Sequence, residues 1–200
     1  PNIMKQVTTI LAILVGFTMN GQWSYNSNNS GVEASTCTAS GSYSTAMGDG
    51  TTASGDYSTS MGRSTAASAL YSTAMGRSTA ASALYSTAMG YGTDASGYFS
   101  TAMGSSTTAS ALYSTAMGDG TIASGSRSTA MGSYTTASDY ASLSIGRYNS
   151  VNSTVTAGGS ATSFDTDNAA FVIGNGTGSS TKSDAFVVYF NGNATLSGDL

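Results

Sequence analysis

The 200-residue chain carries a net charge of −4, and only 8% of its residues are charged, against roughly a quarter in ordinary soluble proteins. That balance supplies no basic stripe for a phosphate backbone and excludes nucleic acid as a partner. With no histidine and one cysteine, the chain cannot build Ser-His-Asp or Cys-His catalysis or an intrachain disulfide, and it lacks the commonest metal ligand.

Met4-Lys5 opens a short basic region, Ile10 to Phe17 (ILAILVGF) is an apolar core, and small or polar residues follow to Gln22. Residues 1–22 are predicted to be a signal peptide, with Pro1 to Ile3 as upstream read-through before the initiator Met4. A spanning helix needs about 20 apolar residues, so no integral membrane segment is expected in this chain. Residues 23–38 read as an N-terminal cap in which Cys37 is a small filler rather than a reactive thiol.

From Ala39 to Ser150 the sequence repeats every fourteen residues, in eight copies without an insertion, from ASGSYSTAMGDGTT to the worn ASDYASLSIGRYNS. Gly48, Gly62, Gly76, Gly90, Gly104, Gly118, Gly132 and Gly146 keep the phase, which marks a stacked repeat architecture. The period is too short for a helical hairpin, and Gly, Ser and Thr are poor helix formers, so each coil is predicted to hold two short strands and two turns. Stacked at about 4.8 Å, eight such coils make an all-β solenoid very roughly 40 Å long.

Alternation along a strand sorts the faces. In Ser44-Thr45-Ala46-Met47-Gly48, the largest apolar side chain is Met47, and its column continues through Met61, Met75, Met89, Met103, Met117, Met131 and Ile145. This column is expected inside the roll, opposite the alanines headed by Ala53. The small residues Ala46, Ala74, Ala88, Ala102, Ala116 and Ala130, with Ser60 and Ser144, are then a smooth outward face. So thin a core is marginal alone, and that face is expected to pack against partner subunits around a rotation axis.

The run Ser-x-Ala-(Met or Ile)-Gly-x-x-Thr-x-Ala-x-Gly, as in Ser44 to Gly55, resembles the head repeat of YadA-like trimeric autotransporter adhesins, over residues 39–150. The family's Asn-Ser-Val-Ala-Ile-Gly stands here as Tyr-Ser-Thr-Ala-Met-Gly at Tyr71 to Gly76. The resemblance implies a left-handed parallel β-roll, a homotrimer, an extracellular or outer cell-surface location, and attachment to host, matrix or environmental surfaces.

Residues 151–200 contain two apolar strand candidates, from Ala169 to Thr177 and from Ala185 to Asn193, each with Gly/Asn turns. They are predicted to cap the last coil's open edge. The run ending at Leu200 resembles segments that precede a tail-fibre-type intramolecular chaperone domain, and Leu200 is expected to be a truncation point.

No enzyme and no cofactor is predicted. Asp49, Asp56, Asp94, Asp119 and Asp139 fall in different columns and give no carboxylate pair in a cleft, leaving Asp165 and Asp167 as an isolated calcium possibility. The aromatic column Tyr43, Tyr57, Tyr71, Tyr85, Phe99 and Tyr113 places rings one coil apart, close enough to stack. It is either a stiffening ladder or a flat strip for a glycan or protein receptor. Leu70, Leu84 and Leu112 occur only where the preceding residue is alanine, so that corner should adopt an alternative turn with leucine at a subunit seam. Asp49 should pair with Arg63 in solvent. Two rival functions remain: a structural spacer of a surface or phage-type fibre, and an ice-binding solenoid using the flat threonine column headed by Thr51.

Overall fold

The computed structural model describes residues 23–25, 32–34 and 36–197; the predicted signal peptide lies outside the described residues. Among these there is no helix. Each coil contributes one five-residue strand, such as Thr45–Asp49, and one two-residue strand, such as Thr52–Ala53. The long strands stack as parallel pairs at the fourteen-residue offset, Met75 opposite Met89 and Met89 opposite Met103. The short strands stack likewise, from Thr38–Ala39 to Thr136–Ala137, in an eight-stranded sheet.

The parity of the faces is the reverse of the sequence expectation. Ala46, Ala74, Ala88, Ala102, Ala116 and Ala130 are wholly buried within the single chain, and from Ala67 to Ala137 the inner alanines of both sheets form one cluster. They are therefore the interior, not a subunit face. Met47 and its column, together with Thr45 and its column, stand on the outer face and are partly exposed. The reason is the width of the roll. Only Gly50 and Thr51 join Thr45–Asp49 to Thr52–Ala53, so the two sheets lie too close to admit methionine, and dense packing selects alanine, serine and threonine between them. Ser44 and Thr51, which turn inward at the strand ends, are also buried.

Every coil turns through two left-handed residues. One is the aromatic position, with φ from 55° to 57° from Tyr43 to Tyr113, and the other is the Gly50 position, occupied by Ser64, Ser78 and Tyr134 in other coils. The phase-keeping glycine ends the long strand. At Gly76 φ is 123°, and a Cβ would sit 2.0 Å from the carbonyl oxygen of Gly90, so no side chain fits between the coils there.

The long sheet runs past the eighth coil. Ala169–Asn175 pairs in parallel with Leu143–Arg147, placing Gly174 opposite Gly146, two periods later. It is a further long strand in phase, reached through an insertion that begins after Ser150. Asp184–Tyr189 and Ala194–Leu196 then add antiparallel strands.

The short sheet ends instead on side chains. Asn149 Oδ1 accepts from Thr136 N at 2.7 Å and its Nδ2 donates to Thr136 O at 2.8 Å. Asn152 Oδ1 accepts from Ser138 N and Asp139 N at 2.7 and 2.6 Å. The two carboxamides thus satisfy the edge that another strand would have paired. The buried Asp139 carboxylate ties the insertion down, accepting from Thr156 N, Thr156 Oγ1 and Ala169 N at 2.6 to 2.7 Å.

Candidate contact surfaces

Two surfaces of the rod stand out. The first is the outer face of the long sheet. Its threonine column continues into Leu143, and its methionine column into Ile145; the next strands add Phe171 and Ile173, then Val188 and Phe186, in register. These side chains are all partly exposed, and neither column carries a charge from Thr45 through Val188; Asp49, Arg63, Arg77, Asp119 and Arg147 border the columns at the strand ends. Sequence reasoning missed this face because it placed the methionines inside.

The second surface is the aromatic corner. Tyr43, Tyr57, Tyr71, Tyr85, Phe99 and Tyr113 stack at centroid separations of 4.9 to 5.1 Å with interplanar angles of 7° to 18°. Each ring is 42% to 66% exposed. The left-handed backbone throws each side chain off the corner at the same angle, and the coil spacing is close to the stacking distance. A left-handed conformation costs a non-glycine residue about 1 to 2 kcal/mol, which stacking worth about 0.5 to 1.5 kcal/mol per pair partly offsets. The seventh position of the column is Arg127, whose guanidinium lies 5.6 Å from the Tyr113 centroid and 5.2 Å from that of Tyr140, donating to Tyr140 Oη at 2.6 Å.

The leucine corner keeps the same φ at the aromatic residue but changes one backbone partner. Where the coil has Gly55, its N–H donates to Ala67 O in the next coil; where it has Ala69, the N–H turns to Ser72 Oγ in its own turn. Leu70 and Leu112 are each 39% exposed beside the ring ladder. At the opposite corner Arg63 Nε lies 3.5 Å from Asp49 Oδ2, both side chains exposed.

The threonine column headed by Thr51 is buried within the roll and offers no surface to ice, which corrects that expectation. Cys37 occupies the N-terminal continuation of this column, buried, with its Sγ donating to Gly48 O at 3.3 Å. Among the described residues no group of three or more Cys, Asp or Glu side chains could hold a metal ion, and no helix is long and apolar enough to cross a membrane.

The YadA head domain repeat, taken two copies at a time, matches residues 39–65, 67–93, 95–121 and 123–149. The chain belongs to the YadA head repeat family. The last match ends at Asn149, the residue that begins the closure of the short sheet. Each two-copy match therefore spans two coils of the roll. No curated protein matches the chain.

Proposed function

We propose that residues 39–149 are the head of a trimeric surface adhesin, a rigid and non-catalytic rod that works outside the cell. Membership of the YadA head family supports the surface location and the trimer. The observation that carries the reading is how the rod divides its surface. On one side the columns of Thr45 and Met47 carry no charge and are only partly covered by their own chain, while the corner beside them repeats an exposed ring in six successive coils.

The methionine face is the subunit seam in this reading. The two columns run through ten successive strands of the long sheet, from Thr45–Asp49 to Asp184–Tyr189, and a contiguous exposed apolar patch marks an interaction surface. The alanine interior buries little area per coil, so the seam supplies the apolar contact that the roll lacks. Closed cyclic packing of the same face in each copy satisfies all copies equally.

The aromatic corner is the contact surface. Many weak contacts along a rigid rod combine, raising avidity about a hundredfold or more. Tyrosine suits this because it offers large area with little conformational entropy to lose. The test compares beads coated with wild-type protein and with Tyr71, Tyr85 and Tyr113 all changed to serine, on glycans, matrix proteins and cells. The variant should keep its assembly state and lose adhesion. Equal adhesion would make the corner structural, and a wild type that binds nothing would make the rod a spacer.

A further inference from the structure

The aromatic corner is not a strip of ring faces. With neighbouring rings 4.9 to 5.1 Å apart and nearly parallel, each interior face is covered by the next ring, and the last is covered by Arg127. What the corner shows to solvent is C–H edges, the electropositive part of an aromatic ring, and the phenolic hydroxyls of Tyr43, Tyr57, Tyr71, Tyr85 and Tyr113. No side chain among the described residues bonds those five hydroxyls. Leu70 and Leu112 and the ring of Tyr98 are exposed one position earlier. Exposed Ser54, Ser68, Ser82, Ser96 and Ser110 lie three residues before the rings. Each coil therefore offers a serine hydroxyl and a ring edge at one pitch, and the third to sixth coils add an apolar residue where the first two have Ser42 and Asp56.

A partner lying along the rod has to match that pitch. An extended peptide turns the same way every second residue, about 6.6 to 6.8 Å, and falls out of step by the second rung. A polyproline II chain returns to the same face about every 9.3 Å and meets only alternate rungs. Stacked nucleic-acid bases bring phosphates toward an acidic protein. A straight β-1,4-linked sugar chain advances about one ring separation per unit and turns successive units over, so opposite edges of the sugar meet alternate rungs. Because both edges carry hydroxyls, every rung still meets a hydroxyl-bearing unit.

We propose that the aromatic corner is a binding track for an extended β-linked polysaccharide that lies along the rod with one sugar unit per coil. This inference rests on the adhesive reading above and names its ligand class. Phe99 is the single rung without a hydroxyl, so the track carries an interruption at its fifth position.

The experiment is calorimetric titration of the 200-residue chain with cello- and chito-oligosaccharides from dimer to octamer, with α-linked malto-oligosaccharides as the control that does not run straight. Affinity for one of the β-linked series should rise with each unit to the hexamer and then level off. Tyr85→Phe, which keeps the ring and removes the hydroxyl, should weaken hexamer binding about fivefold, and Phe99→Tyr should tighten it about threefold, the scale of one neutral hydrogen bond. Near-ultraviolet circular dichroism confirms that both variants keep the ladder. No binding by either β-linked series, affinity independent of length, equal binding of the α-linked series, or no effect of Tyr85→Phe would overturn the proposal. If the oligosaccharides fail while the triple serine variant still abolishes bead adhesion, the adhesive corner stands and only its ligand class falls.

Discussion

Ser60 Oγ lies 2.6 Å from Thr65 Oγ1, both buried inside the roll. In the coils of Thr51, Thr79, Thr93, Thr107 and Thr121 the position of Ser60 is alanine, and those five threonine hydroxyls are buried without a partner. Unpaired buried hydroxyls cost stability, so the second coil shows how the others can be improved. Ala88→Ser should pair with Thr93 and stabilise the rod by about 1 kcal/mol, read as a higher midpoint in urea. A lower midpoint would mean that the interior has no room for one more oxygen.

Gly76 tests the spacing between coils. Its φ of 123° and the 2.0 Å approach of a Cβ to Gly90 O leave alanine neither an allowed conformation nor space. Gly76→Ala should cost at least about 3 kcal/mol in equilibrium unfolding. Gly50→Ala offers the comparison, since no atom lies within 4 Å of its Cβ site, and it should cost only the left-handed strain of about 1 to 2 kcal/mol. Equal losses would show that the coil spacing is not what demands glycine at Gly76.

The carboxamide closure gives a local prediction. Asn152→Ala removes the acceptor of Asp139 N at 2.6 Å and the nearer acceptor of Ser138 N at 2.7 Å, leaving Ser138 N the Asn152 carbonyl at 3.2 Å, a loss of about 1 to 3 kcal/mol. Hydrogen exchange should speed up first at Ser138 and Asp139, while Thr136, held by Asn149 Oδ1, and the coils around Met75 stay protected. Uniform acceleration along the rod would contradict a closure that acts at its own edge.

The Asp49 and Arg63 pair should contribute almost nothing. Both side chains are more than 60% exposed, and such pairs are worth about 0 to 1 kcal/mol and weaken with salt. Arg63→Gln should leave the unfolding midpoint within error at physiological ionic strength, and a clear drop there would point to a role beyond the pair.

Much of the architecture was legible before any coordinates, because the unbroken glycine phase admits only a stacked coil and the aromatic column falls on one corner. The parity of the faces was not. Alternation separates Ala46 from Met47 but does not say which class is inside, and the rule that large apolar groups go inward fails when two-residue links hold the sheets too close. The signal was present in another form: the inner column is alanine or serine in every coil, while the outer columns admit Leu143 and Ile145. Constancy of smallness marked the confined side. The strand Ala169–Asn175 lies along the last coil's edge, but its phase with the coils is hidden by the insertion, although Gly174 falls two periods after Gly146. The roles of Asn149, Asn152 and Asp139 depend on contacts between distant turns, which no local pattern announces.

The central claim is that alanine fills the roll and methionine faces another subunit, and sedimentation equilibrium of wild type beside Met89→Asp tests it most directly. Wild type should sediment at the mass of three chains, and Met89→Asp should lose that mass because it sets a carboxylate on the seam. A monomeric wild type, or a variant that sediments as wild type does, would contradict the account.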